Sequence, residues 1–163
     1  MTGKIVHIHC KTKTPGEFGI MKPKVEQAQI AKGGIEGDYN DFRTNEKNGD
    51  PDMALLLMSK ETINELNDEG WPVEVGDVGE NIVTEGIPLD TFQPEMKFQI
   101  GEALIQISYE CEPCYKLHSL PYVGKERGPD FVKTIMGRRG WYARVLEPGE
   151  ISVGDFCTLV EAD

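Results

Sequence analysis

A chain of 163 residues has the length of one domain, and folding at this size buries roughly 70% of the surface the unfolded chain exposes, so stability does not depend on disulfides. Its formal net charge of -11 disfavours nucleic acid and anionic membranes as partners, and no apolar run approaches membrane-span length. Four cysteines without a secretory leader point to free thiols in a reducing, cytoplasmic setting.

The chain reads as strand-rich, with 18 glycines and 10 prolines marking turns. Lys4 to Cys10 alternates, with Val6, Ile8 and Cys10 on one face and Ile5, His7 and His9 on the other, which predicts a first strand ended by Pro15 and Gly16. Val25 to Ala31 predicts a second. The glycines of Gly33-Gly34-Ile35-Glu36-Gly37-Asp38 permit either a plain turn or a loop whose amides approach an anion. Phe42 to Asp52 is polar and reads as a loop. Met53 to Met58 is a short continuous apolar run, as expected of a buried central strand.

Ser59 then caps a helix that carries Glu61 in its first turn, turns Ile63 and Leu66 inward and stops at Gly70. Trp71 to Leu89 reads as loop. Val75-Gly76-Asp77, Ile100-Gly101-Glu102 and Val153-Gly154-Asp155 repeat one signature, and the last two lead into strand-like runs. Short strands with glycine turns at this spacing fit a closed or nearly closed sheet, since closure removes exposed edges. Ala103 to Tyr109 predicts a half-buried strand, Pro129 to Met136 a helix stopped by Gly137, and Trp141 to Leu146 and Phe156 to Val160 the last two strands. Nothing marks an internal domain boundary, so residues 1-163 are read as a single domain.

The chemistry is expected where the Ala103 strand runs out, at Cys111-Glu112-Pro113-Cys114. The same point opens a basic stretch: Tyr115 to Arg144 holds seven Lys and Arg against Glu126 and Asp130. A Cys-x-x-Cys pair has three generic readings. A zinc site needs a second ligand pair, which His7, His9, Cys10 and Cys157 do not form as a motif. A thioredoxin-like pair belongs at a helix start within a βαβ unit, whereas the surroundings are strand-rich. The third is one thiol working alone, as nucleophile, persulfide carrier or soft-metal ligand.

Cys114 is the better candidate for that role, because Lys116 follows it and Arg138, Arg139 or Arg144 could fold back toward it. The plain alternative is that both cysteines are small buried hydrophobes, although Pro113 between them argues against a strand interior. Gly137-Arg138-Arg139-Gly140 reads either as a solvated turn or as a phosphate-binding loop, since arginine's planar fork matches phosphate oxygens.

Cys111 to Leu117 together with Gly137 to Asp155 resembles the MOSC domain, named for the C-terminal part of molybdenum cofactor sulfurases. Ile35-Glu36-Gly37-Asp38, Ala54 to Leu57 and Gly79-Glu80-Asn81-Ile82 resemble further blocks of that family in the same order. The resemblance implies a mainly β, MOSC-type barrel, pyruvate-kinase-barrel-like, with a few short helices. It implies an anionic pterin, the molybdenum cofactor (molybdopterin), as ligand, with Cys114 as the functional cysteine and metal ligand. Gly37, Asp38, Gly79, Glu80, Asn81, Lys116, Arg138, Arg139 and Arg144 would then surround the cofactor. The family's histidine after the early Gly-Asp is not matched, and Asn40 stands in that region.

Two active classes follow from the resemblance. In one, the protein is a small molybdenum-dependent reductase of N-hydroxylated compounds served by an electron-transfer partner. In the other, Cys114 carries sulfur as a persulfide received from a separate desulfurase, and pyridoxal phosphate is expected only in that partner. A cofactor-binding module without turnover is the third class.

Overall fold

The computed structural model describes residues 1–161. In chain order its first strands are β1 (Thr2–His9), β2 (Lys24–Val25), β3 (Gln27–Ala31), β4 (Gly34–Ile35) and β5 (Leu55–Ser59). Helix α1 (Lys60–Asp68) follows, then β6 (Ile82–Glu85), β7 (Lys97–Ile100) and β8 (Ala103–Glu110). Helix α2 (Gly124–Ile135) and strands β9 (Trp141–Glu147), β10 (Gly149–Ser152) and β11 (Phe156–Val160) complete the chain.

Seven strands form a ring in the order β1, β11, β7, β8, β9, β5, β6, with β6 returning to β1. This is the closed, mainly β barrel expected from the short strands and glycine turns, and closure pairs both edges of each strand. All pairs in the ring are antiparallel except β5 with β6, between which α1 carries the chain back in the same direction. The short β2 extends from β1, while β10, β3 and β4 make a separate small sheet.

Ile5, Leu55, Leu57, Phe98, Ile105 and Ile107 are fully buried, and each CH₂ removed from water contributes roughly 0.8 kcal/mol. Strand β5 is buried on both faces. Leu55 and Leu57 face the main core, whereas Leu56 packs with Met53, Cys111 and Tyr142 in a second, smaller cluster. That second cluster backs the candidate site. Ser59 caps α1 as expected, its hydroxyl accepting from the Thr62 amide at 3.1 Å.

Several elements differ from their sequence reading for identifiable reasons. Strict alternation in β1 fails because a bulge lies between Ile5 and His7, so Ile5 and Ile8 are both fully buried. Phe42 to Asp52 is not all loop: Phe42–Glu46 forms a π-helical turn and Pro51–Met53 begins a 3₁₀ turn. Trp71 to Leu89 contains β6, a four-residue strand too short to show a period. Helix α2 begins at Gly124, and Pro129, which signals a helix start, lies inside it.

Candidate functional site

The site forms where β8 and β9 emerge from the barrel. Their pairing continues one step past β8, with the Cys111 amide donating to the Gly140 carbonyl at 2.9 Å. Residues 111–114 then run irregularly to Cys114, whose extended backbone precedes the 3₁₀ turn Tyr115–Ser119. Helix α2 returns the chain to Gly137-Arg138-Arg139-Gly140 at the head of β9. Gly140 has φ +109°, and a Cβ there would lie 2.3 Å from the Leu57 carbonyl oxygen. Only glycine lets this turn lie against β5, and the turn delivers Arg139 to the cysteines.

Arg139 is 8% exposed. Its Nη1 donates to the Glu112 carbonyl at 3.1 Å and approaches Cys114 Sγ at 3.5 Å, and its Nη2 donates to the Val78 carbonyl at 3.3 Å. Among the described residues no carboxylate pairs with it, and its buried Nε has no hydrogen-bond partner. A buried charge without a counter-charge costs several kcal/mol in general. The guanidinium therefore has charge available to an anion placed beside Cys114.

Both groups open onto a cavity of about 520 Å³. Its wall is aromatic, from Phe18, Phe42, Tyr109 and Tyr142, with Leu56 behind them and Val78-Gly79 on another side. Glu110, Glu112 and Pro113 border it, as do Asn40 and Lys47. Lys116 also lines the cavity, but its ammonium is committed to Asp41 and Glu46 and lies over the Phe18 and Phe42 rings. These contacts pin the 42–46 turn over the site. An aromatic cavity with one thiol and one unpaired buried cation suits a planar, anionic ligand.

Of the residues singled out in the sequence, Cys114, Arg139, Gly79 and Lys116 line this cavity. The others are held elsewhere. Asp38 accepts from Lys22 Nζ and the Lys11 amide, and Asn81 ties Asp38 to β5 by accepting from the Leu56 amide at 3.0 Å. Both serve as braces between loops and barrel. Gly37 has φ +85° and neighbours that brace, outside the cavity lining. Arg138 forms a two-pronged pair with Glu69 at 2.7 and 2.8 Å, and Arg144 pairs with Asp52 and Glu95 on the outer side of β9. Sequence proximity to the thiol did not decide which arginine reaches it, because adjacent residues on a turn point in different directions.

Glu80 is fully buried and accepts from the Gly76 amide, and burial pushes its carboxyl up to about 7. It braces the turn behind Val78-Gly79. Asp77, likewise raised by burial, accepts from the Tyr122 hydroxyl at 2.9 Å. Beneath the same turn His9 is fully buried with no side-chain partner for either ring nitrogen, and burial lowers it to about 4. Cys111 is also buried, with its Sγ 3.2 Å from the Tyr142 hydroxyl. Tyr109 and Tyr142, whose rings meet edge to face at 5.4 Å, were not marked by sequence pattern. Their signal is only an aromatic at the cavity end of each of two paired strands.

The MOSC domain profile matches residues 44–158. The chain belongs to the MOSC family. Among MOSC relatives, Protein YiiM of Escherichia coli K12 is 30% identical over 125 residues, covering 73% of this chain and 53% of that protein. A Gibberella moniliformis protein named Reductase is 33% identical over 91 residues, which is 54% of this chain and 15% of its own. The chain thus spans about half of one of these relatives and a small part of the other. The crystal structure of YUAD from Bacillus subtilis superposes with a TM-score of 0.82 at 19% identity, over 100% of this chain and 98% of that one, and so shares the fold. Among the described residues no helix is long and apolar enough to cross a membrane.

Proposed function

We propose that this MOSC protein binds the molybdenum cofactor in the cavity, with Cys114 as the protein's ligand to the metal, and reduces N-hydroxylated compounds with it. The observation that carries the reading is Arg139: a buried guanidinium without a carboxylate, 3.5 Å from the one cavity-lining thiol. The donor set fits the group. A soft sulfur suits molybdenum, Arg139 supplies the counter-charge for an anionic ligand, and the aromatic wall accepts a flat heterocycle.

When bound, the cofactor would supply two-electron redox chemistry, fed by a separate electron-transfer partner. The chain's own part is to hold and orient. Arg139 neutralises the anionic ligand, Gly79 lets backbone come close, and Lys116 with Asp41 and Glu46 holds the Phe42 turn as a cover that keeps water from the site. The name Reductase carried by one relative supports the same direction.

The test is elemental analysis of protein purified from a host that makes the cofactor. Molybdenum near one per chain in wild type and absent in Cys114→Ser is the expected result. Metal absent from both, with a mass increase of one sulfur on Cys114, would replace this reading with sulfur transfer.

A further inference from the structure

Cys111 shares a motif with Cys114, yet the reading above uses only Cys114. The two thiols differ in access. Cys114 is partly exposed and lines the cavity, whereas Cys111 is 3% exposed in the cluster with Met53, Leu56 and Tyr142. Both border one polar contact. The Glu112 carbonyl is 3.8 Å from Cys111 Sγ and 3.1 Å from Arg139 Nη1, and that nitrogen is 3.5 Å from Cys114 Sγ. The Arg139 charge acts on both thiols.

The ends of this short stretch are anchored and its middle is not. The Cys111 amide donates to the Gly140 carbonyl at 2.9 Å, and the Cys114 carbonyl accepts from the Leu117 amide at 3.1 Å. Among the described residues the Glu112 and Cys114 amides donate to no protein group, and Pro113 carries no amide proton. A disulfide needs Cα atoms about 4.4–6.8 Å apart. Across two intervening residues that span is reached when the segment bends and not when it is extended. Bending draws the Cys114 sulfur from the cavity toward the wall that holds Cys111.

We propose that Cys111 and Cys114 are a redox modification site, where a low-molecular-weight disulfide converts the pair to an intramolecular bridge and so withdraws the Cys114 sulfur from the cavity. The effect on metal binding rests on the reading of Cys114 as ligand; the bridge itself does not. The Cys114 thiolate attacks one sulfur of RS–SR, forming Cys114–S–SR and releasing RS⁻. Cys111 then gives up its proton and attacks the Cys114 sulfur, which closes the bridge and releases the second RS⁻. The two cysteine protons end on the two RS⁻ groups, so RS–SR is reduced to two RSH as the cysteines are oxidised. Access sets the order, since Cys114 is the one that lines the cavity. Closure is the slower step, because burial keeps the Cys111 thiol protonated while the Arg139 charge acts against this, and because the 3.2 Å contact with Tyr142 must be given up. A bridge over so short a loop constrains the unfolded chain little, so thiols can reverse it.

The test incubates reduced, metal-free protein with glutathione disulfide, traps the remaining thiols with N-ethylmaleimide and maps the peptides by mass spectrometry. A Cys111–Cys114 bridge that dithiothreitol reverses is the expected product. Cys111→Ala is expected to stop at a glutathione adduct on Cys114, and Cys114→Ser to leave Cys111 free. A lasting glutathione adduct on Cys114 of the wild type with Cys111 still free would overturn the proposal, as would a bridge from Cys114 to Cys10. The same incubation of molybdenum-loaded protein is expected to form the bridge at least about tenfold more slowly, because a ligated sulfur is not free to attack. Equal rates with and without metal would overturn Cys114 as the ligand and leave the bridge standing. Loaded wild type whose metal-free form never closes the bridge would overturn the bridge and leave the ligand reading standing.

Discussion

Arg139 and Cys114 meet at 3.5 Å, nitrogen to sulfur, and among the described residues no carboxylate shares that guanidinium. Arg139 is bound instead to two carbonyls, those of Glu112 and Val78, both residues of the cavity lining. One side chain thus ties the 111–114 segment to the Val78-Gly79 turn.

Arg139→Gln removes the charge and strands carbonyls that are partly or wholly buried, which should cost about 1–3 kcal/mol and lower cofactor retention at least tenfold. Arg138→Ala, one residue away, removes an exposed pair with Glu69 and two hydrogen bonds to the Thr134 carbonyl and should lower stability less than Arg139→Gln does, with retention unchanged. Thermal melting together with molybdenum per chain separates the two, and equal losses in both variants would contradict the assignment of Arg139.

The four thiols should divide by access. Cys10 and Cys114 are partly exposed, whereas Cys111 and Cys157 are buried, and burial pushes the Cys157 thiol up to about 12. Ellman's reagent on native protein is expected to react with Cys10 and Cys114, and with all four thiols only after denaturation. Rapid modification of Cys111 would show that the wall behind Tyr142 opens in solution.

His9 and Glu80 should pull stability in opposite directions with pH. His9 is depressed to about 4 from 6.5, so the unfolded chain binds the extra proton between these values and stability rises with pH across them. Glu80 is raised to about 7 from 4.5, so the native state binds the extra proton and stability falls as pH rises from 4.5 to 7. The two nearly cancel in wild type between pH 4.5 and 6.5. Glu80→Gln, which keeps an acceptor for the Gly76 amide, should expose the rising His9 slope in denaturant titrations over that range. A Glu80→Gln protein with the wild-type pH profile would refute this balance.

Gly140→Ala should be severe. The added Cβ would meet the Leu57 carbonyl at 2.3 Å, at a φ of +109° that alanine rarely adopts. Strain of about 1–3 kcal/mol for the backbone alone, with the clash added, predicts a loss of roughly 3 kcal/mol or more. Because β5 must shift to relieve the contact, cofactor retention should fall with stability.

Strands of the ring were legible from apolar patterning, alternating in β8 and continuous in β5, and Ser59 announced α1 by its capping chemistry. β6 was hidden by its brevity and the β1 pattern by a bulge, both settled by pairing with distant strands. Within the site, the Cys114 and Arg139 side of the cavity could be read from a motif. The aromatic side could not. Phe18 and Phe42 sit in polar loops, and Tyr142 alternates in a strand like any other half-buried residue. Nor could sequence distinguish Arg139 from Arg138, since that depends on a turn fixed by Gly140 against β5.

Strand β5 is at once a stave of the barrel, through Leu55 and Leu57, and a panel of the cavity, through Leu56. Tolerance to substitution is therefore uneven around the site. A change on β5 is felt on both sides of the strand, so a bulkier or smaller residue at Leu56 must satisfy a ligand and a barrel together. The segments around Phe18, Phe42 and Pro113 line the cavity without being staves of the barrel. They are where a chain of this fold has freedom to change what it admits while the barrel stays as it is.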